Sequence, residues 1–528
     1  MGAMSYYHAI TSALGLPQLF STHQFLLAAL FVVSLLLLRS NVGSYKKTCV
    51  PPSPSKLPII GNLHQVGSFP HRALGAMAEK HGPIMSLRLG QVPALVDSSA
   101  DCMAREIMKT QDHIFASRPR LKVPQTLFYE GRDVAFATHG EYWRKARKIS
   151  VLHLLSPKMV QSYRLIREEE VAFMIEAISR SCCSGVMNMS QILSSFAKHT
   201  ISRIVLGKCS REEWWDNIIH VMIDECCKML GAFHVGDYFP SHSWLSKLTG
   251  PDARVRKIFN KVDEILDAIV DGHISRPKRD ASETEDFVDI LLSLEKEISQ
   301  DVSFGKENIK AIVEDMFGAG TEATFLVTKW VLAELLRNPE VLKRLKDEIR
   351  GIVGSKPMVK EEDLKQMNYL KAVIKESMRL LPPGPFLVPR ESISDTTIQG
   401  YHIPRKTRIF VNVWAIQRDP KTWEAPEEFR PEMFLGSSVD FKGHDFQLIP
   451  FGAGRRRCPG IGFAIPIIEL AIANLMYHFH WKLPDGMKDE DLDMTEALGI
   501  SMRRKSSLQL VATPCLFWTV SKSKLETM

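Results

Sequence analysis

The pattern of apolar and polar positions is most distinctive near the start of the chain. Residues 1–24 contain no Asp, Glu, Lys or Arg, and the apolar run Phe25–Leu38 follows, with Ser34 as its one polar residue. This run is shorter than the roughly 20 residues that cross a bilayer. The uncharged stretch from about residue 19 supplies the missing length, so the pattern predicts an N-terminal transmembrane helix.

Positive charge follows this run, at Arg39, Lys46 and Lys47. A secretory signal peptide carries its positive charge before its apolar run. Basic residues that flank a membrane span favour the cytosolic side. We therefore predict a single-pass anchor over residues 1–45 with a cytosolic body, and a cleaved signal is the alternative.

Residues 46–62 form a basic, proline-rich hinge. Pro51, Pro52, Pro54 and Pro58 lie within eight residues, which excludes a helix. Such a segment is a semi-rigid spacer between membrane and body. The alternative is a ligand for a proline-binding module.

The body, residues 63–528, combines a few strand-like segments with long helical stretches. Strand-like segments lie at Ile84–Leu89, Ala94–Val96, Thr407–Asn412 and Ser507–Ala512. Between about 100 and 380 the pattern is mostly helical. The sequence predicts one large domain that is mainly α, with a small β-sheet annex.

One predicted helix is exceptionally long, because Glu307–Asn338 contains no proline and Pro339 ends it. At 1.5 Å per residue it would span about 48 Å. Gly318 and Gly320 lie at its middle, and a helix-interior glycine costs about 1 kcal/mol relative to alanine. Either a flat cofactor approaches closely here or another helix packs closely, and the sequence leaves both open.

Composition excludes several classes of function. Hydrophobic residues make up 45% and charged residues 24% of the chain, which is typical of a globular protein. The net charge of +7 is not gathered into a basic stripe, so we expect no nucleic-acid partner. A docking face for an acidic protein or a membrane surface fits better. The nine cysteines show no CxxC spacing, which excludes a zinc signature and a disulfide framework.

One of these cysteines, Cys458, has an unusual setting. Residues Phe451–Gly460 read FGAGRRRCPG, and an apolar helix follows at about Ile461–His478. Glycines permit a tight turn. A cysteine beside three arginines and just before a helix should have a depressed pKa and exist as a thiolate. A thiolate is a strong haem-iron ligand and favours cleavage of the oxygen–oxygen bond.

Two other interpretations of this loop are weaker. A redox-sensing thiol is one, and a dinucleotide-binding loop is the other. Gly452 and Gly454 lack the third glycine of a GxGxxG fingerprint, and no strand–turn–helix pattern surrounds them.

At this point the chain resembles the cytochrome P450 family, in its plant microsomal group that oxidises specialised metabolites. The haem-ligand pattern F-x-x-G-x-R-x-C-x-G is highly specific, and the resemblance covers essentially the whole chain. The residues that match this pattern are Phe451, Gly454, Arg456, Cys458 and Gly460. Glu376 and Arg379 match E-x-x-R, and Trp143 and Arg147 match W-x-x-x-R. Alone, these two pairs would be an ordinary surface ion pair and ordinary packing.

The resemblance implies a P450-type haem-thiolate fold that holds haem b. It implies that Cys458 ligates the iron, that Trp143, Arg147, Arg390 and Arg456 contact the haem propionates, and that Phe451 belongs to the ligand loop. Guanidinium groups suit recognition of carboxylates. It also implies electrons from NADPH through NADPH–cytochrome P450 reductase, and residence in the endoplasmic reticulum membrane.

The chain departs from the family pattern at three positions, one of which is Leu381, where relatives often have histidine. The family has A-G-x-[D/E]-T-[T/S] in its central helix, whereas Ala323 stands here in place of the threonine. The family has F-x-P-E-R-F, whereas Met433 replaces the arginine. We expect Met433 to leave the Glu376–Arg379 pair short of one partner. Without the hydroxyl at 323, Glu322 would feed protons through water, assisted by Thr321 or Thr324.

The resemblance predicts a monooxygenase acting on a mainly apolar, ring-containing small molecule, and the missing hydroxyl favours coupling or rearrangement chemistry. A haem-thiolate isomerase or dehydratase that needs no reductase is the alternative, and a non-enzymatic haem-binding protein is a third. General core packing remains the other interpretation for each candidate pocket residue. Those candidates are Phe128, Met316, Phe317, Ala319, Ala323, Phe386, Leu387, Val388, Leu498 and Ile500.

Overall fold

The computed structural model describes most of the body of the chain. It covers residues 49–515 apart from 101–103, 183–184, 208–217, 219–220, 245, 247–249, 277–284, 299–303 and 485. The predicted anchor, residues 1–45, and the first residues of the hinge lie outside the described residues.

Helices dominate the described part, as the sequence predicted. In chain order they are α1 Leu63–Val66, α2 Pro70–His81, α3 Asp112–Phe115, α4 Lys122–Leu127, α5 Glu141–Ile149, α6 Pro157–Ser162, α7 Arg164–Ser181, α8 Met189–Leu206, α9 Cys226–Leu230, α10 Val235–Tyr238, α11 Pro251–Ile274, α12 Phe287–Ile298, α13 Lys306–Arg337, α14 Pro339–Val353, α15 Asn368–Leu380, α16 Val413–Ile416 and α17 Ile461–His478.

The strands form three small sheets. They are β1 Ile84–Leu89, β2 Val92–Asp97, β3 Val186–Asn188, β4 Arg390–Glu391, β5 Thr396–Ile398, β6 Tyr401–Ile403, β7 Arg408–Val411, β8 Phe479–Lys482 and β9 Gln509–Pro514. The four-stranded sheet has the order β1-β2-β7-β4, the three-stranded sheet β3-β9-β8, and the third is the hairpin β5-β6. In the first sheet β2 and β7 are parallel and the other neighbours antiparallel.

The four predicted strands all exist. The strand Ile84–Leu89 has the predicted bounds, and the others shift by one or two residues at their ends. The long helix runs from Lys306 to Arg337, and Asn338 caps it directly before Pro339. Fold and element order thus follow the hydrophobic pattern closely.

The long helix α13, hereafter the central helix, lies at the heart of the main core. It packs against α8, α15 and α17, and most of its residues are buried. Among the described residues, α17 is the one helix long and apolar enough to cross a membrane, but 67% of it is buried inside the protein. We therefore assign α17 to the core, where it brings the Cys458 loop towards the central helix.

Candidate functional site

Backbone hydrogen bonds fix Cys458 immediately before α17. The N–H of Cys458 donates to the carbonyl of Phe451 at 2.9 Å, and the N–H of Arg457 donates to the carbonyl of Gly454 at 3.1 Å. The N–H of Ala464 donates to the carbonyl of the residue before the helix at 2.8 Å. The loop therefore holds the thiol in a place that depends little on side-chain contacts.

Two glycines of this loop are required by the backbone itself. Gly452 and Gly454 have φ of +65° and +68°, which disfavours any residue with a Cβ. A Cβ at 454 would also lie 2.0 Å from the carbonyl oxygen of Met108. At 452 it would lie 3.3 Å from Cδ1 of Leu387, so Leu387, a predicted pocket residue, packs directly on the loop.

The predicted direction of the Cys458 pKa is wrong. Burial raises the pKa of the thiol, and the N–H of Gly460 and the charge of Arg147 offset only part of that rise. The three arginines before the cysteine instead bond carboxylate and carbonyl oxygens of other segments. Deprotonation of such a thiol is coupled to its ligation by a cation.

Arg456 and Trp143 form one packed unit. The guanidinium carbon of Arg456 lies 4.1 Å from the centre of the Trp143 ring, a cation–π geometry. Both side chains donate to the carbonyl of Val134, at 3.1 Å from Nη1 of Arg456 and 3.1 Å from Nε1 of Trp143. The W-x-x-x-R helix and the cysteine loop are therefore joined at this point.

Two further predicted arginines lie beside this unit. Arg390 donates to the carboxylate of Asp112 at 3.1 Å and to the carbonyl of Ala453 at 2.9 Å. Arg147 donates to the carbonyl of Arg457. Each arginine is thus tied to the cysteine loop or to its flank.

Arg118 belongs to the same cluster, and the sequence analysis missed it. The residue is 5% exposed, and it donates to the carbonyls of Val388 at 2.6 Å and Pro389 at 3.1 Å. Arg118 lies on a loop and outside the family motifs, so its sequence position does not indicate a role in the site. The run Ser117-Arg118-Pro119, an arginine in a rigid segment, is the only hint that the sequence contains.

Arg118, Arg147, Arg390 and Arg456 form a compact positive cluster. Burial lowers the pKa of all four, that of Arg456 to about 9. Repulsion by its neighbours lowers the pKa of Arg118 further. Guanidinium groups held together in this way favour binding of carboxylates.

The acids nearby do not neutralise this cluster fully. Burial and the charge of Asp315 raise the pKa of Asp133 to about 8. Burial also raises the pKa of Asp315, to about 6, although its carboxylate accepts backbone N–H groups at 3.0 Å. The donor set therefore fits a bound group that carries two carboxylates, as haem does.

The middle of the central helix borders an internal space. Ala319 is exposed although the helix around it is largely buried, and Ala323 is half-buried. A Cβ at Gly318 would meet nothing within 4 Å, whereas one at Gly320 would lie 3.4 Å from Cδ1 of Ile201. Gly320 therefore allows close helix packing, whereas Gly318 faces open space, and close approach of a flat cofactor stays a prediction.

The three candidate proton-delivery residues are placed very differently. Glu322 accepts hydrogen bonds from Ser501 Oγ at 2.9 Å and from Nε of Arg503 at 2.6 Å. Thr321 is 2% exposed and Thr324 fully buried, and their hydroxyls lie inside the protein. This placement argues against direct contact of either hydroxyl with a reactant beside Ala319.

The Glu376–Arg379 pair is completely buried and complete in its bonds. Nε and Nη2 of Arg379 donate to the two carboxylate oxygens at 2.6 and 2.9 Å. Its other donors reach the carbonyls of Gln417, Pro426 and Glu428. The expectation that this pair lacks a partner is therefore wrong.

Two local features replace the family's arginine at 433. The backbone N–H of Arg430 donates to Glu376 at 2.7 Å. Met433 packs against an apolar cluster that includes Trp423, and the ring of Trp423 lies 5.1 Å from the guanidinium carbon of Arg379. A backbone donor and an aromatic face thus take the place of the absent side chain.

The predicted pocket residues divide into two groups. Phe317 is 1% exposed and Phe128 stacks on Phe136 with centroids 5.5 Å apart, so both belong to the core. Phe386 packs on Phe410 at the edge of a core cluster and is half-buried. The other candidates keep partly or fully exposed side chains. They are Met316, Ala319, Ala323, Leu387, Val388, Leu498 and Ile500.

A cysteine in a glycine-rich loop, a buried arginine cluster and a helix with an open middle define the class of haem-thiolate proteins. The comparisons with known proteins agree. The cytochrome P450 family model matches residues 51–510. The chain is 50% identical to "Cytochrome P450 71A1" of Persea americana over 86% of this chain and 91% of that protein. It is 45% identical to "Strychnine-11-hydroxylase" of Strychnos nux-vomica over 91% of this chain and 95% of the relative.

A solved structure is also similar. A zebra fish cytochrome P450 with abiraterone aligns with a TM-score of 0.72 and 25% identity, over 85% of this chain and 99% of that one. This chain belongs to the cytochrome P450 family, in the plant group of specialised metabolism. It is an oxidoreductase of the monooxygenase type.

Proposed function

We propose that this chain is a microsomal monooxygenase that inserts one atom of dioxygen into a small, mainly apolar, ring-containing plant metabolite. The observation that carries the proposal is the position of Cys458, fixed by backbone bonds beside α17 and the arginine cluster. Electrons come from NADPH through NADPH–cytochrome P450 reductase.

Haem b would be held by Cys458, which would ligate the iron, and by Arg118, Arg147, Arg390 and Arg456, which would bind the propionates. When bound, the haem supplies activation of dioxygen, which the protein side chains cannot perform. The protein positions the substrate, excludes water and places protons.

Proton placement depends on the unusual position 323. Ala323 offers no hydroxyl, and the hydroxyls of Thr321 and Thr324 are buried. Glu322 is the remaining polar group of this segment with part of its surface open. A proton donor is effective only within hydrogen-bond reach, directly or through one water. Glu322 therefore orients water towards the space beside Ala319, and a hydroxyl or amine on the substrate completes the path.

The substrate class follows from the surfaces that remain open. Met316, Ala319, Val388 and Ile500 are apolar and not fully buried, which favours an apolar body. One relative is named as a strychnine hydroxylase, and strychnine contains rings. A ring-containing substrate fits both observations.

An exposed apolar surface supports the membrane location. Ile59 is 69%, Phe233 58% and Trp244 55% exposed. The two segments that carry these residues are joined through one turn, because Gly90 N–H donates to Ile60 O at 3.1 Å and Gln91 N–H to Tyr238 O at 2.8 Å. Exposed apolar side chains on two joined segments suit the interface of a bilayer. We propose that these segments rest on the endoplasmic reticulum membrane.

A basic groove supports docking of the reductase. It has a volume of about 420 Å³ and is lined by His139, Trp143, Arg144, Arg147, Lys148, Val151, Leu152 and Arg455. Arg144 and Lys148 are exposed, and so is Leu152, at 53%. The groove shares Trp143 and Arg147 with the cofactor site, so electrons delivered here travel a short way. Its charge attracts an acidic electron-transfer partner.

Reversing charge in this groove is expected to slow electron delivery. Arg144→Glu together with Lys148→Glu should lower the rate of reductase-supported haem reduction about ten-fold at low salt, because steering of an acidic partner is lost. Reduction by dithionite should be unchanged. The measurement is stopped-flow reduction under carbon monoxide.

The matched control is Lys257→Glu, an exposed residue on α11, which does not line the groove. It should reduce at the rate of the unmodified protein. An equal loss in the control, or an undiminished rate in the double variant, would contradict docking at this groove.

The proposed function itself is tested by omission. Microsomes that carry this chain and reductase should convert a candidate ring-containing substrate only when both NADPH and dioxygen are present. With ¹⁸O₂, one labelled atom should enter a hydroxylated product and the other water, whereas both labelled atoms should enter water if the product forms by coupling. The isomerase or dehydratase alternative is favoured by Ala323 alone. Turnover that continues without NADPH and under argon would establish that alternative and remove the monooxygenase.

A further inference from the structure

The last part of the domain forms a loop that reaches the central helix. Residues 495–505, hereafter the C-terminal loop, are closed by hydrogen bonds from Lys505 N–H to Thr495 O at 2.9 Å and from Ala497 N–H to Arg503 O at 2.7 Å. The tip approaches α9, since a Cβ at Gly231 would lie 2.9 Å from the backbone nitrogen of Ile500. The C-terminal loop therefore touches both the central helix and the end of α9.

Two guanidinium nitrogens of Arg503 donate hydrogen bonds to the carboxylate of Glu322. Nε donates to Oε1 at 2.6 Å and Nη2 to Oε2 at 2.5 Å. Ser501, two residues earlier, donates to Oε1 at 2.9 Å. Paired guanidinium–carboxylate bonds of this type fix orientation as well as charge.

The guanidinium group of Arg503 also reaches the turn that precedes α9. Nη1 donates to Asp224 at 3.2 Å, in the π-helical turn Val221–Glu225. Asp224 in turn lies 3.7 Å from Nζ of Lys198 on α8. Burial alone would lower the pKa of Arg503, but the bond with Glu322 outweighs it and the pKa is raised. Arg503 is therefore a permanent cation between two acids from different elements.

We propose that Arg503 is the positioning residue for Glu322, and that it fixes the one carboxylate of the central helix available to orient protons beside Ala323. The inference rests on the proposed monooxygenase function. Glu322 without this contact has three freely rotating side-chain bonds, and an acceptor that moves orients water poorly.

Because residue 323 is an alanine, the contact between Arg503 and Glu322 has a larger influence on the placement of water. Where a hydroxyl stands at 323, two polar groups share the placement of water. Here Glu322 acts without it, so its orientation depends on a loop that is distant in sequence. The identity of residue 503 then decides how protons reach the space beside Ala319.

The test uses four variants of the full-length, haem-loaded chain with reductase and no added substrate: Arg503→Gln, Arg503→Lys, Glu322→Gln and the double variant Arg503→Gln/Glu322→Gln. We expect Arg503→Gln to slow NADPH oxidation about ten-fold, less than the roughly 10²–10⁴-fold that a positioned proton-transfer group contributes, because Glu322 itself remains. Glu322→Gln should cause a similar loss, and the double variant should be no slower than either. Arg503→Lys should recover part of the rate because the cation remains.

Lys505→Gln is the matched control, since Lys505 is exposed on the same loop. It should oxidise NADPH like the unmodified protein. Losses that multiply in the double variant, or an unchanged rate in Arg503→Gln, would contradict the proposal.

A second readout is independent of turnover. In a thermal-unfolding cycle of the same variants, the melting-temperature losses of Arg503→Gln and Glu322→Gln should be non-additive, because contacting ionic partners couple. Additive losses would contradict a direct interaction between Arg503 and Glu322. If substrate turnover continues without NADPH and under argon, the proposed function fails, while this cycle still decides whether Arg503 holds Glu322.

Discussion

Replacing Arg379 with leucine is expected to destabilise this protein by about 3–5 kcal/mol, since it removes one partner of a buried ion pair. Both side chains of the Glu376–Arg379 pair are 0% exposed. Without the guanidinium, the carboxylate of Glu376 keeps the backbone N–H of Arg430 as its described donor. A buried charge with so little compensation is strongly unfavourable.

The loss extends beyond the pair itself. Arg379 donates to the carbonyls of Gln417, Pro426 and Glu428, and these segments lead towards the cysteine loop. Gln417 in turn accepts the N–H of Ile449 at 2.9 Å, two residues before Phe451. We therefore expect the variant to lose haem during purification as well as melting at lower temperature.

The surface pair Arg180–Glu176 is the matched control. Its side chains are 73% and 51% exposed, and exposed pairs contribute about 0–1 kcal/mol. Arg180→Leu should therefore keep its haem and nearly its full melting temperature. Equal melting curves for Arg379→Leu and the control would show that the buried pair is not structural.

Much of the fold could be predicted because it depends on local patterns. The central helix has no proline between Lys306 and Arg337, and α17 is apolar throughout most of its length, so each is defined by its own sequence. The motif residues Arg456 and Trp143 also lie together, as the family resemblance implied.

Electrostatics could not be predicted in the same way, because it depends on where long side chains turn. Three arginines precede Cys458, yet their guanidinium groups face other partners and burial determines the direction of the thiol pKa. The prediction about Met433 was wrong because a backbone N–H, which every residue except proline offers, replaced the expected side chain. Sequence position does not show either outcome.

Contacts between residues far apart in the sequence could not be predicted either. Arg118 joins the arginine cluster from a loop, and Arg503 reaches Glu322 across 181 residues. Neither lies in a motif, and their roles are visible only when the chain is folded.

Cys458→Ala is expected to abolish thiolate ligation and all NADPH-dependent oxidation. Backbone bonds hold the loop, so the variant should fold and can still bind haem through the arginine cluster. Without sulfur donating electron density to the iron, cleavage of the oxygen–oxygen bond is no longer favoured. Cys515→Ala, at a buried cysteine bonded to Arg350, is the control and should oxidise normally.

The measurement that tests the central claim most directly is the absorption spectrum of the reduced protein under carbon monoxide. The unmodified chain and Cys515→Ala should show the strongly red-shifted haem band of thiolate ligation, and Cys458→Ala should lack it. A red-shifted band that persists in Cys458→Ala would contradict the assignment of Cys458 as the iron ligand.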